Sequence, residues 1–298
     1  MKPFAILLST CLAVLSTSFA LAESPEWTQP QKPFRIYGNS YYVGTRGLSA
    51  ILIASPQGLV LIDAPMERNA PQIEANIKAL GFRVADIKLI LNTHAHFDHA
   101  GAIATLARDS GARVEASEAG AKALMLGGKD PEDPQFGDAS LFAPVAKVTL
   151  VPDGGVVRVG DVAITAHYTP GHTPGSTTWT WQSCDAGRCV NMVYADSLYP
   201  YGANGYHFTD DAAHPHRVED YRRGIEAIAA LPCDILITPH PDQSDFLDRV
   251  ARRDAGTRPN PLIDANACRA YAESGRAMLQ ARLAKERAEA KGAGPSGH

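Results

Sequence analysis

From Ile87 to Leu91 the chain is apolar except for Lys88, and it then runs through Asn92 and Thr93 into His94-Ala95-His96-Phe97-Asp98-His99. An apolar run of this length fits a strand buried on both faces, which requires a layer of structure on each side of it. The six residues that follow carry three imidazoles and a carboxylate, a density that packing does not explain. In an extended stretch alternate side chains share a side, so His94 and His96 reach one point, while the turn into a following helix redirects Asp98 and His99. One short loop can thus serve two ions. Imidazole and carboxylate suit zinc, and mixed nitrogen and oxygen sites with an open position are typically catalytic, whereas structural zinc prefers closed, cysteine-rich sites. No cysteine lies near this motif. The plain alternative is a surface loop with incidental histidines, and what decides is whether the rest of the chain supplies the remaining ligands.

Two further histidines sit where loops present functional groups. His172 lies in Thr169-Pro170-Gly171-His172-Thr173-Pro174-Gly175-Ser176, between two strand-like runs, and His240 lies in Thr238-Pro239-His240-Pro241, directly after the apolar Ile235–Ile237. Either alone would be an ordinary solvated or core histidine. With the first cluster they complete the set.

The surrounding pattern predicts how these loops are carried. Short β-type runs open the N-terminal half, at 35–37, 49–54 and 59–63, separated by Gly, Pro and Asn turns. Asn69 offers an N-cap with Pro71 just inside, and Ile73, Ile77 and Leu80 follow at helical spacing before Gly81. A second helix is predicted over about 100–110. The second half has strand runs at Val156–Val159, Val162–Tyr168, 177–181 and 190–194, then a helix over 218–230 and a strand at 235–238. Two packed mixed sheets with helices on their outer faces, a four-layer α/β sandwich of αββα order, would bury all these runs. A doubly wound sheet is the structural alternative. At 298 residues with 45% hydrophobic and 20% charged residues the chain is expected to form one domain, and its net charge of −4 gives no reason to expect a nucleic-acid partner.

Residues 1–22 read as a cleaved secretory signal: Lys2 supplies the positive start, an apolar core runs from Phe4 to Leu15, and Ala20-Leu21-Ala22 forms a cleavage site. The mature domain is then 23–298, exported to the periplasm without a stable membrane anchor, and its tail, 288–298, is expected to fray. Export leaves Cys184, Cys189, Cys233 and Cys268 in an oxidising compartment. Three pairings are possible. Cys184 and Cys189 flank the turn-like Asp185-Ala186-Gly187-Arg188, which favours a local bridge and leaves Cys233 with Cys268.

Taken in order, H-A-H-F-D-H, G-H-T-P-G-S, A-D-S-L and T-P-H-P resemble a metallo-beta-lactamase of subclass B3, as does Glu219-Asp220-Tyr221-Arg222-Arg223 running into Leu231-Pro232-Cys233-Asp234. The resemblance spans nearly the whole mature chain. It implies two zinc ions, the first on His94, His96 and His172 and the second on Asp98, His99 and His240, with Asp196 not a ligand. It implies a β-lactam hydrolase acting on penicillins, cephalosporins and carbapenems. The nucleophile would be a hydroxide shared by ions about 4 Å apart and oriented by Asp98. Ser197 would help bind the substrate carboxylate; Tyr199 stands where this branch commonly has a small hydroxyl residue. A covalent serine route is excluded by the lack of S-x-x-K, K-T-G and G-x-S-x-G. Residues 127–141, rich in Gly, Pro and Asp, read as a long loop overhanging the site, with Phe136 and Leu141 as apolar contacts or as packing for the protein's own surface. His167, His207, His214 and His216 take no role. The protein is expected to be a monomer whose partners are small molecules. The same scaffold also carries lactonases, thioesterases and phosphodiesterases, which form the alternative, and a non-catalytic zinc store is a more distant one.

Overall fold

The computed structural model describes residues 23–203 and 205–292. The predicted leader 1–22, with Cys11, and residues 293–298 lie outside the described residues. In chain order the strands of the first half are β1 (Phe34–Tyr37), β2 (Ser40–Tyr42), β3 (Ile51–Ser55), β4 (Gly58–Ile62), β5 (Ile87–Leu91), β6 (Arg113–Ala116) and β7 (Thr149–Leu150). They form a seven-stranded sheet in sequential order, antiparallel from β1 to β4 and parallel from β4 to β7. Helices α1 (Ala70–Ala79), α2 (Phe97–Ala100), α3 (Ile103–Ser110) and α4 (Glu118–Met125) fall between these strands. The second half gives β8 (Val156–Val159), β9 (Val162–Tyr168), β10 (Thr177–Asp185), β11 (Arg188–Tyr194) and β12 (Ile235–Ile237), with α5 (Arg217–Ala230) before β12, and α6 (Phe246–Asp254) and α7 (Ala267–Gly292) after it. These strands make an antiparallel meander whose last member, β11, pairs in parallel with β12.

The side-chain alternation of β5 shows why two sheets must stack. Leu89 and Leu91 point into a core shared with Ile164, Trp179, Met192 and Tyr194 of the other sheet, whereas Ile90 points into a second core with Ile73, Ile77, Ile103 and Leu106. On the far side of the second sheet, Val193 and Leu236 meet Tyr221, Ile225, Leu279 and Leu283 of α5 and α7. Three apolar interfaces between four layers make the αββα sandwich. Each fully buried Leu or Ile contributes on the order of 2 kcal/mol, so a charge at position 90 or 91 would be felt through both layers.

Both cysteine pairs are bridged, Cys184 to Cys189 and Cys233 to Cys268. The first pair faces across the β10–β11 hairpin, where Ala186 and Gly187 both take positive φ, the backbone that a two-residue hairpin turn demands. The second ties the start of β12 to α7.

Several elements differ from the sequence expectation. The helix predicted over about 100–110 is present as α3 and starts at Ile103, the short α2 ending just before it; between them the N–H of Ala102 donates to the carbonyls of Ala64 and Pro65. Helices α4, α6 and α7 were not foreseen, and α7 carries residues 288–292, expected to fray, as regular helix. Its Ala, Glu, Lys and Arg content has high helix propensity. Buried Glu286 also anchors it, accepting the N–H groups of Phe208 and Thr209. No helix among the described residues is long and apolar enough to cross a membrane.

Candidate metal centre

The six residues singled out in the sequence converge at one end of the sandwich. His94, His96, Asp98 and His99 leave the carboxyl end of β5, His172 sits between β9 and β10, and His240 follows β12. The two sheets are stitched together at this end: the N–H of Thr177 donates to the carbonyl of Thr93 at 2.8 Å, and Trp179 Nε1 donates to that of Asn92 at 3.0 Å. The glycine of the His172 turn is needed for close approach, since a Cβ at Gly171 would lie 2.9 Å from the ring of Tyr221.

Asp63, just after β4, fixes the start of the histidine loop. Its carboxylate accepts the backbone N–H of Thr93 (2.7 Å), the Thr93 hydroxyl (2.7 Å), the Asn92 amide (3.0 Å) and the Tyr194 hydroxyl (2.8 Å). Burial pushes this carboxyl up to about 7, while the hydrogen bonds from Thr93 and Tyr194 work in the other direction by favouring the ionised form. Four donors on one buried carboxylate hold the loop in a single conformation.

The ligating atoms of His94, His96 and His172 lie within 4.8 Å of one another, and so do those of His94, Asp98 and His99. In the first group each ring has one nitrogen taken by an outer acceptor: His94 Nδ1 lies 2.7 Å from Asp196 Oδ1, His172 Nδ1 lies 2.7 Å from the carbonyl of Tyr199, and His96 Nε2 lies 2.9 Å from Asp133 Oδ2. Each ring is left with one nitrogen free of these acceptors. His94 Nε2 is buried without a hydrogen-bond partner, an arrangement that costs free energy unless something electrophilic sits there. Burial and the neighbouring imidazoles hold His94 well below the usual histidine range and bring His172 down to about 3, so both stay neutral and able to donate a lone pair. Burial also opposes the charge on His96, but the Asp133 carboxylate overrides it and moves that ring upward.

Asp98, His99 and His240 form a tighter group. Asp98 Oδ2 lies 3.2 Å from His99 Nε2 and 3.4 Å from His240 Nε2, and the two nitrogens are 3.1 Å apart. Ligands about 2.0 to 2.1 Å from a tetrahedral zinc sit about 3.3 Å from each other, so this spacing fits a metal at the centre of the three atoms. Burial opposes ionisation of Asp98, yet His99 and His240 hold its carboxyl well below the ordinary range. The residues therefore fit two adjacent metals, with imidazole and carboxylate donors and no thiolate.

Other positions are less tightly joined to the centre. Ser197 is 2% exposed, and its hydroxyl accepts the N–H of Tyr199 at 3.4 Å, a turn-capping bond. Phe136 and Leu141 are half-exposed, at 49% and 55%. Tyr199 is 53% exposed and its ring stacks with that of Tyr201 at 6.4 Å. Sequence reasoning missed Asp63, Asp133 and Trp27, whose ring lies 5.4 Å from that of His240. An acidic residue in a Gly and Pro-rich loop and a Trp at position 27 carry no local signal of such contacts. Asp196, read as a non-ligand, has its Oδ1 2.7 Å from His94 Nδ1.

A model of the metallo-beta-lactamase superfamily matches residues 43–240. Among solved structures, the Rm3 metallo-beta-lactamase is 47% identical with a TM-score of 0.85, covering 88% of this chain and 97% of its own. MEM-A1, a subclass B3 metallo-beta-lactamase isolated from a soil metagenome library, is 49% identical with a TM-score of 0.86, covering 88% of this chain and 99% of its own. A curated relative, the hydroxyacylglutathione hydrolase of Anaeromyxobacter dehalogenans, is 32% identical over 124 residues, 42% of this chain and 38% of that protein. The chain thus spans less than half the length of the curated relatives it matches. With the motifs, the four-layer fold and the two abutting triads all in agreement with these matches, the chain belongs to the metallo-beta-lactamase superfamily, in its subclass B3 branch.

Proposed function

We propose that this chain is an exported β-lactam hydrolase that holds two zinc ions, one on His94, His96 and His172 and the other on Asp98, His99 and His240. The observation that carries the reading is the pair of abutting triads free of thiolate, in a chain 47% and 49% identical over 88% of its length to Rm3 and MEM-A1. Zinc bound there lowers the pKa of water toward ~7 and polarises a carbonyl oxygen. The chain's own groups do the rest. Asp98 uses Oδ2 toward His99 and His240, and its other oxygen accepts a hydrogen bond from the attacking water, which orients it. Asp63 and Asp196 keep the loop and His94 still, so that no reorganisation is needed as charge develops. Ser197 offers its hydroxyl proton to the substrate carboxylate. Exposed Phe136, Leu141 and Tyr199 offer apolar contacts to the substituents of penicillins, cephalosporins and carbapenems.

Export by the leader 1–22 to the periplasm is supported by the two disulfides, which form and persist in oxidising compartments. The protein works as a monomer on small molecules. A thioesterase is the second reading, favoured by the match to hydroxyacylglutathione hydrolases.

The test uses purified mature protein with a chromogenic cephalosporin and a hydroxyacylglutathione thioester, before and after a chelator and with zinc restored. Cephalosporin turnover is expected to vanish on chelation, return with zinc, and exceed thioester turnover by at least about a hundredfold. Turnover that ignores the chelator, or that favours the thioester, defeats the assignment.

A further inference from the structure

Two of the outer acceptors in the first triad belong to the sheet-end segment that follows β11, but Asp133 does not. It lies in 127–141, a segment with neither strand nor helix, and it is buried all the same. Both of its oxygens approach His96 Nε2, at 3.1 and 2.9 Å. The same carboxylate accepts the N–H of Gln135 at 2.8 Å, and the Asp133 carbonyl accepts that of Phe136 at 2.9 Å. The segment is fastened on either side as well: Asp130 accepts from Lys122 Nζ at 2.8 Å, and the carbonyl of Pro134 accepts the N–H of Ala203 at 2.7 Å.

A carboxylate can only accept, so the ring nitrogen facing it carries the proton, and a neutral imidazole then has its lone pair on the other nitrogen. We propose that Asp133 is a positioning residue: it sets His96 with its proton on Nε2 and its Nδ1 toward the metal, and by the same bond it ties 127–141 to the metal centre. The inference rests on the reading of His94, His96 and His172 as a zinc site. Because one bond serves both ends, metal loading orders the segment and an ordered segment strengthens metal binding, by the same factor in each direction.

Zinc affinity of the full mature chain, measured by chelator competition, and hydrogen exchange of the 127–141 amides test this together. Asp133→Ala is expected to weaken one of two zinc ions by about 10- to 100-fold and leave the other unchanged. Asp133→Asn, whose amide oxygen still accepts the Nε2 proton, should restore affinity to within about threefold. Zinc should slow exchange at Gln135 and Phe136 in the parent and the Asn variant but not in the Ala variant. A general loss of packing would weaken both ions alike and would not separate Asn from Ala. Wild-type affinity and zinc-dependent protection in Asp133→Ala overturn the proposal. Should that variant fail to fold, the ring proton of His96 in the metal-free parent is read by nitrogen-15 NMR at a pH where the imidazole is neutral; a proton on Nδ1 overturns the proposal, and one on Nε2 supports it. A parent chain that binds no zinc removes the zinc reading and this inference together, whereas zinc binding untouched by Asp133→Ala removes only the latter.

Discussion

His94, His96 and His172 each lean on an outer acceptor, Asp196, Asp133 and the Tyr199 carbonyl, whereas Asp98, His99 and His240 lean largely on one another. In the second triad His99 Nδ1 is buried with no hydrogen-bond partner, whereas the His240 ring, 20% exposed, lies against the ring of Trp27 and is hydrogen-bonded to the backbone of Gly47. The first triad thus has an outer acceptor on each of its three rings, whereas in the second His240 has one and His99 has none among the described residues. Outer partners that fix ring orientation raise metal affinity, so the two positions should differ in how tightly they hold zinc although they share one short loop.

The strongest way to break this contrast is to remove one ligand from each triad. His96→Ala should lower cephalosporin turnover by more than about a hundredfold and leave at most one zinc per chain. His240→Ala should also bind one zinc, but should keep the tighter of the two binding steps. Equal loss of both steps in the two variants, followed by chelator titration, would show that the triads bind as a single unit. Asp196→Ala takes the acceptor from His94 and should cost about 10- to 100-fold in affinity for the tighter zinc. An unchanged titration curve there would mean that the acceptors do not account for the difference. Trp27→Ala, on the open side, is expected to weaken the second zinc by less than about tenfold and to leave the first untouched, since an aromatic contact is worth only about 1 kcal/mol.

Much of this centre was legible because its ligands come in dense or well-marked clusters. The six residues 94–99 stand out by composition alone, and His172 and His240 are marked by Gly and Pro turns placed after apolar strands. The αββα order followed from strands whose two faces are both apolar. The hairpin disulfide followed from its turn. What escaped was whatever depends on long-range contact. Asp133 lies 37 residues from His96 in sequence and Asp63 lies 30 from Thr93, and nothing local marks either as a partner. Helices α4 and α6 escaped because each is only eight or nine residues long, too short to hold without docking against the sheets, and α7 because a stretch rich in Ala and in charge shows weak apolar periodicity.

By itself the sequence determined which donor atoms this protein has, how the apolar runs must layer, and which cysteines a turn can bring together, because these depend on residue type and short spacing. The tertiary structure alone decided which nitrogen of each imidazole faces inward and which carboxylate holds it there. Ring orientation is set by partners tens to about a hundred residues away, and only the closing of two sheets against each other brings them within hydrogen-bond distance.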